Sequence, residues 1–449
     1  MTAASRPSQG QASALRAGGV QGSVARSVPS QLGADPELAM LTDLLAKQGL
    51  HTVYQPVVEL DTGHIVGYEA LSRGPRSSQL ESPEQLFAAA RRANQLAELD
   101  RACQATAMAG ATTAGLRAPC TLFVNVEPEV AATAPLAALP PARRGGSVAP
   151  RVVVELTERA LTDRPAELLR QVAAFRARGW GIALDDVGAD PGSLALLPLL
   201  RPDVIKLDLR LVQDEPDAQI AQIVNAVNAE AERSGAVVLA EGIETAAHLA
   251  VAQSLGATLG QGWLLGRPAP LPTPTALAAR SVVSTTAVPI TARTPTPEGA
   301  SPFDLVAAER PVRQASKSLL LEVSRHLERQ AMSSTSSAVV LATFQNARHL
   351  TPATVDRYSS LAAKAAFVGA LGADMPAEPA TGVRGATLEQ GDPVLGEWDV
   401  AVIGPHFAGA LVSRDLGDDG PDHDRRFSYV LTHDRTLAVQ VACALMARV

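Results

Sequence analysis

The sequence predicts an α/β protein in which an eight-stranded (β/α)8 barrel, modified at its first strand, is followed by a smaller C-terminal α/β domain. Three observations support this fold class. Short β-rich runs alternate with longer amphipathic stretches between residues 36 and 268. Polar side chains recur where those runs end. A Pro/Thr-rich stretch at 269–302 then precedes residues 303–449, which have helical and strand-like patterns of their own.

The barrel prediction depends on eight candidate strands. These are Thr52–Val58, Ile65–Ala70, Thr121–Val126, Arg151–Glu155, Gly181–Leu184, Val204–Leu207, Ala236–Ala240 and Thr258–Trp263. Amphipathic stretches such as Pro165–Arg178 and Gln219–Ser234 lie between most of them, which predicts a parallel barrel with an outer ring of helices. Only a short turn around Asp61, Thr62 and Gly63 joins the first two strands, so we expect that pair to be antiparallel.

Composition limits the classes of partner and the compartment. The 449 residues are 46% hydrophobic and carry a formal net charge of −7, which argues against a nucleic-acid polymer or an anionic membrane as the main partner. No continuous apolar span of ~20 residues and no signal-peptide pattern is evident, so we expect a cytoplasmic protein without a membrane segment. Residues 1–35 are rich in Ser, Ala, Gly and Gln and predict a disordered tail, while 269–302 predicts an interdomain linker.

Side chains that can carry chemistry follow most of the candidate strands. Because the C-terminal ends of parallel barrel strands meet at one rim, these side chains should lie close together. Carboxylates that lie within a few ångström of one another repel unless cations lie between them. Oxygen ligands suit Mg²⁺ or Mn²⁺ better than zinc. In chain order, the side chains expected at this rim are Glu69, Asn125, Glu155, Asp185, Asp186, Lys206, Asp208, Glu241, Glu244 and Gln261.

Three residues of this set, together with Arg73, suggest a phosphoesterase site. The adjacent Asp185 and Asp186 could bridge two metal ions ~3.5–4 Å apart. Lys206 could hold or help deprotonate an attacking water, and Arg73 could bind a phosphate. A single acidic residue after a strand is more often a helix cap or a solvated turn residue, and Glu244 alone is no better than that. The complete set at one rim is harder to explain without a function.

The same residues resemble, in order, the motifs of EAL-type cyclic-di-GMP phosphodiesterases. The resemblance covers roughly residues 40–268. It implies a modified TIM (β/α)8 barrel that hydrolyses cyclic-di-GMP to linear pGpG with two Mg²⁺ or Mn²⁺ ions per active site, and a homodimer formed through the barrel. The matching segments are Tyr54-Gln55-Pro56, Tyr68-Glu69-Ala70-Leu71-Ser72-Arg73, Phe123-Val124-Asn125-Val126, Glu155-Leu156-Thr157-Glu158, Asp185-Asp186, Ile205-Lys206-Leu207-Asp208, Ala240-Glu241-Gly242-Ile243-Glu244-Thr245 and Gly260-Gln261-Gly262.

The resemblance also implies a role for each matched residue. Asp186 would bind the second metal together with Asp185, with Glu241 supporting it directly or through water. Lys206 would orient the nucleophilic water, and Glu244 would steady the loop after the double Asp. The side chains implied to bind the first metal are Glu69, Asn125, Glu155 and Asp185. Those implied to contact the substrate are Gln55, Arg73 and Gln261.

One departure from the family pattern follows the fifth strand. The family usually has DDFGTGYSSL there, whereas residues 185–194 of this chain read DDVGADPGSL. Because Pro191 fixes φ and lacks a backbone donor, the loop geometry should differ. In the family this loop supports the second metal and couples dimerisation to activity.

The departure leaves three functional readings open. The retained metal-binding residues favour an active phosphodiesterase. The altered loop favours a receptor that binds cyclic-di-GMP without turnover and signals to a partner. A third reading is a scaffold that binds no nucleotide. No GGDEF-like cyclase motif is visible, so synthesis of the messenger is not expected.

Residues 303–449 predict a smaller α/β domain with no recognisable catalytic constellation. The pattern gives an amphipathic helix at Lys317–Gln330, strands at Ala338–Phe344, Val400–Ile403 and Phe427–Leu431, and a closing helix at Thr436–Ala447. The region resembles the DICT sensory domain, which implies a signal-input module with an unidentified ligand or signalling partner. The matching pieces are Phe344-Gln345, Arg357-Tyr358, Glu397-Trp398, Pro405-His406-Phe407 and Arg425-Arg426-Phe427.

Overall fold

The computed structural model describes most of the two predicted domains. The described residues are 36–127, 149–157, 164–189, 194–273, 287–293, 296–297, 299–333, 338–418 and 421–449. The predicted tail at 1–35 lies outside them, as do Glu158, Asp190 and Pro191.

Eight strands close into a barrel in chain order, as the sequence predicts. Strand β1 is antiparallel to both β2 and β8, and the remaining neighbours are parallel. The antiparallel start is therefore confirmed, and the last strand is shorter than predicted. The strands are β1 His51–Glu59, β2 Ile65–Arg73, β3 Thr121–Asn125, β4 Arg151–Thr157, β5 Gly181–Val187, β6 Val204–Leu207, β7 Val237–Ala240 and β8 Leu259–Gly260.

Helices surround the barrel. Several begin at a side-chain cap: Ser82, Asp217 and Thr245 each accept a hydrogen bond from a backbone N–H of the first turn. The amphipathic stretches predicted at 165–178 and 219–234 correspond to α4 and α7. The helices are α1 Pro36–Ala46, α2 Pro83–Arg92, α3 Leu96–Thr113, α4 Pro165–Ala177, α5 Leu197–Leu200, α6 Leu209–Gln213, α7 Ala218–Ser234 and α8 Ala246–Ser254.

The alternation of side chains along the strands determines what reaches the rim. Inside the barrel, one apolar layer contains Val57, Val66, Phe123, Val153, Ala183, Val204, Leu239 and Leu259. Two residues further along a strand a side chain returns to the same face. The layer members of β3 to β7 are therefore followed, one inward position nearer the C-terminal rim, by Asn125, Glu155, Asp185, Lys206 and Glu241.

Part of the predicted linker packs against the opposite, N-terminal end of the barrel. Val288 is 2% exposed and belongs to the same apolar cluster as the barrel interior, with Ile290 beside it. The backbone N–H of Thr291 donates to Asp203 Oδ1 at 2.9 Å. Residues 287–293 therefore cover the bottom of the barrel, which the composition of the stretch did not indicate.

The C-terminal domain is built on a seven-stranded mixed sheet in the order β12-β11-β10-β13-β14-β15-β9. Strand β11 is parallel to β10 and β12, and the other neighbours are antiparallel. The sequence predicted three of these strands. All seven are β9 Arg313–Ser316, β10 Val339–Asn346, β11 Phe367–Ala373, β12 Arg384–Thr387, β13 Val400–Ile403, β14 Ala408–Asp415 and β15 Arg426–Thr432.

Helices cover both faces of this sheet. They are α9 Pro302–Ala307, α10 Lys317–Ser333, α11 Pro352–Ala362 and α12 Arg435–Met446. On β10, Val340 and Ala342 pack with α10 and α11, whereas Val339 and Leu341 face α12. This division of alternate residues between two apolar clusters gives a three-layer α/β domain.

The last helix joins the C-terminal domain to the barrel. α12 contacts α4 and α5, and Cys443 Sγ lies 3.7 Å from the carbonyl oxygen of Leu199. Arg233 of α7 also donates to the carbonyl oxygen of Pro405 at 3.1 Å. Within the described residues, no helix is both long and apolar enough to cross a membrane.

Candidate active site

Lys206 lies inside a ring of carboxylates at the C-terminal rim of the barrel. Its Nζ is 2.9 Å from Glu155 Oε1, 2.9 Å from Asp185 Oδ1 and 2.8 Å from Glu241 Oε1, and Glu69 Oε1 is 3.8 Å away. The lysine side chain is only 1% exposed. A buried ammonium group requires such partners, but one cation cannot neutralise four carboxylates. The ring therefore has an excess of negative charge.

The pKa values show the same imbalance. Burial alone would lower the pKa of Lys206, but the surrounding carboxylates raise it well above its usual value. Burial raises the pKa of Glu155 well above its usual value, and Glu69 and Asp185 add to the increase against the opposing charge of Lys206. Burial likewise raises the pKa of Glu241 to about 7. Further positive charge would favour the ionised carboxylates.

A β-bulge places two aspartates at the end of β5. Ala183 and Leu184 pair with successive residues of β6, but the next pair begins at Val187, so β5 has one residue more than β6. Asp186, within the bulge, has a left-handed φ of 56° and an exposed side chain. The bulge interrupts the strict alternation of side chains. One oxygen each of Asp185, Asp186 and Glu241 consequently lies within 4.8 Å of the others.

Glu69 is held by an amide network. Asn125 Nδ2 donates to Glu69 Oε1 at 3.1 Å, and Gln261 Nε2 donates to Glu69 Oε2. Gln261 Nε2 also donates to Gln55 Oε1 at 3.0 Å, and Gln55 Nε2 donates to the carbonyl oxygen of Gly266 at 3.1 Å. Two of the predicted substrate-binding residues are therefore hydrogen-bonded to each other beside a predicted metal ligand.

A cavity of about 450 Å³ opens beside the ring and is lined by Glu69, Asn125, Asp185, Asp186 and other residues. Arg73, the third predicted substrate contact, also lines it and donates through Nη1 to the carbonyl oxygen of Ser72 at 2.8 Å. The volume lies within the range typical of small-molecule sites. The cavity and the carboxylate ring together form one continuous site.

The cavity also contains polar residues that sequence reasoning missed. Asp100 of α3 is 3% exposed, accepts from Gln104 Nε2 at 2.7 Å and from the backbone N–H of Glu127 at 3.2 Å, and lines the cavity with both. Burial raises the pKa of Asp100 to about 7. Helix spacing marks Asp100 and Gln104, four residues apart, as a polar pair beside the apolar Leu99 and Cys103, but it does not show that the pair faces this cavity.

Comparison with protein families identifies the barrel. Residues 38–268 match the model of the EAL domain, a segment that includes every strand of the barrel and the whole carboxylate ring. The chain belongs to the EAL family. Residues 304–416 match a second model, described as "Sensory domain in DIguanylate Cyclases and Two-component system", abbreviated DICT. Both family assignments made from the sequence motifs are confirmed.

Relatives with known names resemble this chain over the EAL domain. The chain is 29% identical to the cyclic di-GMP phosphodiesterase RocR of Pseudomonas aeruginosa over 250 residues, which are 52% of this chain and 61% of RocR. It is 31% identical to the bifunctional diguanylate cyclase/cyclic di-GMP phosphodiesterase MucR of the same organism over 252 residues, which are 53% of this chain and 36% of MucR. The alignments thus span from about a third to about three-fifths of these relatives.

Solved structures of EAL domains cover the same half of the chain. The "PaMucR Phosphodiesterase, c-di-GMP complex" is 27% identical, with a TM-score of 0.46, and covers 53% of this chain and 98% of that one. The manganese/cy-diGMP complex of BlrP1 from Klebsiella pneumoniae at pH 9.0 is 31% identical, with a TM-score of 0.43, and covers 49% of this chain and 56% of that one.

The donor atoms of the EAL barrel fit hard divalent cations. Carboxylate oxygens of Asp185, Asp186 and Glu241 converge, and the Lys206 ammonium already lies among three carboxylates at 2.8–2.9 Å. Oxygen donors with this excess of negative charge suit Mg²⁺ or Mn²⁺. Cys103 lines the cavity as a protonated thiol, because burial raises its pKa to about 12, so it does not offer a thiolate ligand.

The predicted role of Glu244 and the predicted change in the loop after β5 stay predictions. Glu244 is exposed, and the Asp190–Ser193 part of the loop that it would steady lies outside the described residues. The start of that loop is described: Val187 is fully buried at the end of β5, and Gly188 has a φ of 104°. Val187 therefore packs in the core where the family usually has Phe.

Several motif residues of the DICT domain have structural contacts. Arg357 Nε donates to Glu328 Oε2 at 2.6 Å, and the Tyr358 hydroxyl donates to Glu328 Oε1 at 3.1 Å, which ties α11 to α10. Glu397 is fully buried and accepts from Arg414 Nη2 at 2.9 Å and from the backbone N–H of Phe303. These contacts hold helices against the sheet, so Arg357, Tyr358 and Glu397 of the matching pieces have a structural role.

Proposed function

We propose that the EAL barrel of this chain hydrolyses cyclic-di-GMP to linear pGpG. The single observation that carries the proposal is the ring of Glu69, Glu155, Asp185 and Glu241 around Lys206, beside a cavity large enough for a ligand. A barrel that had lost hydrolysis could lose these costly buried charges, because each one destabilises the fold unless it is compensated. Family membership and the named relatives support the same activity.

The proposed metal ligands are Glu69, Asn125, Glu155, Asp185, Asp186 and Glu241. Two divalent cations, Mg²⁺ or Mn²⁺, would supply Lewis-acid activation of the scissile phosphate when bound. The amides of Gln55 and Gln261 and the guanidinium of Arg73 are proposed to bind the dinucleotide. Asn125 and Gln261 orient Glu69 by donating to its two oxygens.

Lys206 and Glu241 are proposed to handle the attacking water. Because the carboxylates keep Lys206 protonated, its ammonium can orient a water by donating to it but cannot accept its proton. The Glu241 carboxylate lies 2.8 Å from the Lys206 ammonium, so it is placed beside a water held there and is suited to accept its proton. The water oxygen then attacks phosphorus, the bond from phosphorus to one ribose oxygen breaks, and the departing oxygen takes up a proton from solvent, which opens the ring to pGpG.

The test is hydrolysis of cyclic-di-GMP by the purified chain with Mg²⁺ or Mn²⁺. We expect pGpG from the wild type, loss of at least about a hundredfold in rate for Glu69→Ala, and an unchanged rate for Glu98→Ala. Glu98 is an exposed residue of α3 and does not line the cavity. Saturable cyclic-di-GMP binding without pGpG would instead support the receptor reading, which the altered sequence after β5 favours.

Regulation and assembly are further parts of the proposal. The DICT domain contacts the barrel through α12, so a signal received there could alter the barrel. A homodimer through the barrel is also expected from family membership. Activity of the full chain at increasing protein concentration would test the dimer, since a required dimer gives a specific activity that rises with concentration.

A further inference from the structure

A second cavity, here called the seam cavity, lies where the barrel meets the C-terminal domain. Its volume is about 120 Å³. Its walls come from α4, α5 and the turn after it, the segment after residue 292, and α12. Leu199 and Val439 contribute apolar surface from the two domains, and four arginines contribute charge: Arg170, Arg176, Arg201 and Arg293.

The seam cavity is poor in compensating negative charge. In the part of the chain that the structure describes, none of the four arginines forms an ion pair with a carboxylate. Asp203 acts electrostatically on both Arg176 and Arg293, and Glu230 also acts on Arg293. The two oxygens of Asp203 already accept from the backbone N–H groups of Ile182 and Thr291. The positive charge of the cavity is therefore only partly neutralised.

Two of these guanidinium groups also have unused donors. Arg176 Nη2 donates to the carbonyl oxygens of Leu200 and Arg201 at 2.8 and 2.7 Å, and Arg293 Nη2 donates to that of Ser234 at 3.1 Å. The Nε atoms of Arg176 and Arg293 are buried and have no hydrogen-bond partner among the described residues. Buried donors without acceptors are unfavourable, so an oxyanion here would satisfy both charge and hydrogen bonding.

We propose that the seam cavity binds a small carboxylate with a short apolar chain. The carboxylate group of this ligand would accept from the Nε–H groups of Arg176 and Arg293, which have no acceptor among the described residues. The chain would lie on the surface formed by Leu199 and Val439. A volume of about 120 Å³ is well below that of sites for larger ligands, so a nucleotide does not fit. Because both domains and the linker form its walls, the ligand would tie them together.

Equilibrium dialysis of radiolabelled butyrate against the full chain at constant ionic strength tests this site. We expect one butyrate bound per chain, and an affinity that falls at least about tenfold in the Arg176→Gln/Arg293→Gln double variant. Arg178→Gln is the matched control, because this arginine lies on the same side of the barrel, is also half-buried and does not line the cavity. Its binding should equal that of the wild type.

A second variant keeps the test decisive if the double variant does not fold. Ala173→Leu should fill the cavity from α4 without removing charge, and should abolish butyrate binding while circular dichroism stays unchanged. Inorganic phosphate is the comparison ligand, and we expect it to displace butyrate only weakly. The proposal is wrong if binding is not saturable, if Ala173→Leu binds butyrate normally, or if phosphate competes as well as unlabelled butyrate.

Discussion

Lys206 acts as an internal counterion for the carboxylates of the proposed active site. Its ammonium is within 2.9 Å of Glu155, Asp185 and Glu241, in a position where only 1% of the side chain is exposed. The same group is therefore required by the fold and proposed for the chemistry. A substitution that removes its charge separates these two roles, because divalent cations can replace the charge but not the position of the ammonium group.

Replacement of Lys206 by methionine should make the protein depend on divalent metal for stability. Without added metal, Lys206→Met should lower the free energy of unfolding by about 3–5 kcal/mol, since the carboxylates lose their partner. Mg²⁺ or Mn²⁺ should restore more stability to the variant than to the wild type. Urea unfolding with EDTA and with metal measures both effects.

The control for this variant is an exposed ion pair. Lys317 binds Asp422, whose side chain is 72% exposed, so Lys317→Met should change the free energy of unfolding by no more than about 1 kcal/mol. Equal losses in the two variants would contradict the counterion role of Lys206.

Asp100 should make stability depend on pH. Its pKa is about 7 in the folded protein, mainly through burial, and about 3.9 when unfolded. Between these values the folded state holds a proton that the unfolded state has released. The contribution of Asp100 to stability is therefore full below pH ~4, is lost as pH rises towards 7, and is constant above that, with a span on the order of 4 kcal/mol.

The Asp100→Asn variant isolates this contribution. Its free energy of unfolding relative to wild type should become more favourable at pH 8 than at pH 5, as measured by urea unfolding at both values. Glu98→Gln, on the exposed side of the same helix, should differ from wild type in its free energy of unfolding by the same amount at pH 5 and at pH 8. Parallel wild-type and Asp100→Asn curves would mean that Asp100 is ionised in the folded protein.

At the scale of the element, the bulge in β5 determines where the two aspartates point. The extra residue gives Asp186 a left-handed backbone with φ of 56°. Asn and Asp tolerate this conformation better than a β-branched residue. The bulge thus links a backbone cost to the position of a proposed metal ligand.

Two substitutions at Asp186 separate the backbone from the ligand. Asp186→Asn should retain the midpoint of thermal unfolding but weaken Mn²⁺ binding, because it keeps the backbone and removes a charge. Asp186→Val should also lose about 1–2 kcal/mol of stability. Asp214→Val, at an exposed position with φ of −82°, should stay within about 0.5 kcal/mol of wild type. Equal stability of Asp186→Val and wild type would show that the strain is absent in solution.

Strand alternation explains how much of the site the sequence could predict. Positions such as Glu155 and Asp185 follow apolar strand residues at a spacing of two, so strand pattern and family motif point to the same rim. Asp100 comes from a helix between strands, and helix periodicity alone does not indicate which polar residue faces a cavity. The bulge at Asp186 depends on the pairing of β5 with β6, which no local pattern specifies.

The strands that sequence analysis missed are those without an amphipathic pattern. β11, Phe367–Ala373, is buried over most of its length and rich in Gly and Ala, which have low strand propensity. A strand covered on both faces shows no alternation. β9, Arg313–Ser316, is a short polar edge strand. Both are specified by tertiary packing more than by their own residues.

At the scale of the whole molecule, the segment 287–293 joins the two domains and also closes the barrel. Val288 completes the apolar cluster of the barrel interior, and Ile290 lies within 3.0 Å of the position that a Cβ at Gly181 would occupy. The segment then leads to Arg293 at the seam cavity. A change in the position of the C-terminal domain could therefore reach the barrel through its bottom, opposite the proposed active site.

A charge at Val288 should destabilise the barrel in the full chain. Val288 is 2% exposed, so Val288→Asp places a carboxylate in an apolar cluster. This change should lower the free energy of unfolding by about 3 kcal/mol or more. Ala292→Asp, at an exposed position of the same segment, should have an effect within about 0.5 kcal/mol. Trp180 is buried next to Gly181, so its fluorescence in a Trp263→Phe/Trp398→Phe background reports barrel unfolding in urea. If Val288→Asp and Ala292→Asp unfold at the same urea concentration, the segment is a spacer in solution, and the domains communicate through α12 and the contact of α7 with Pro405.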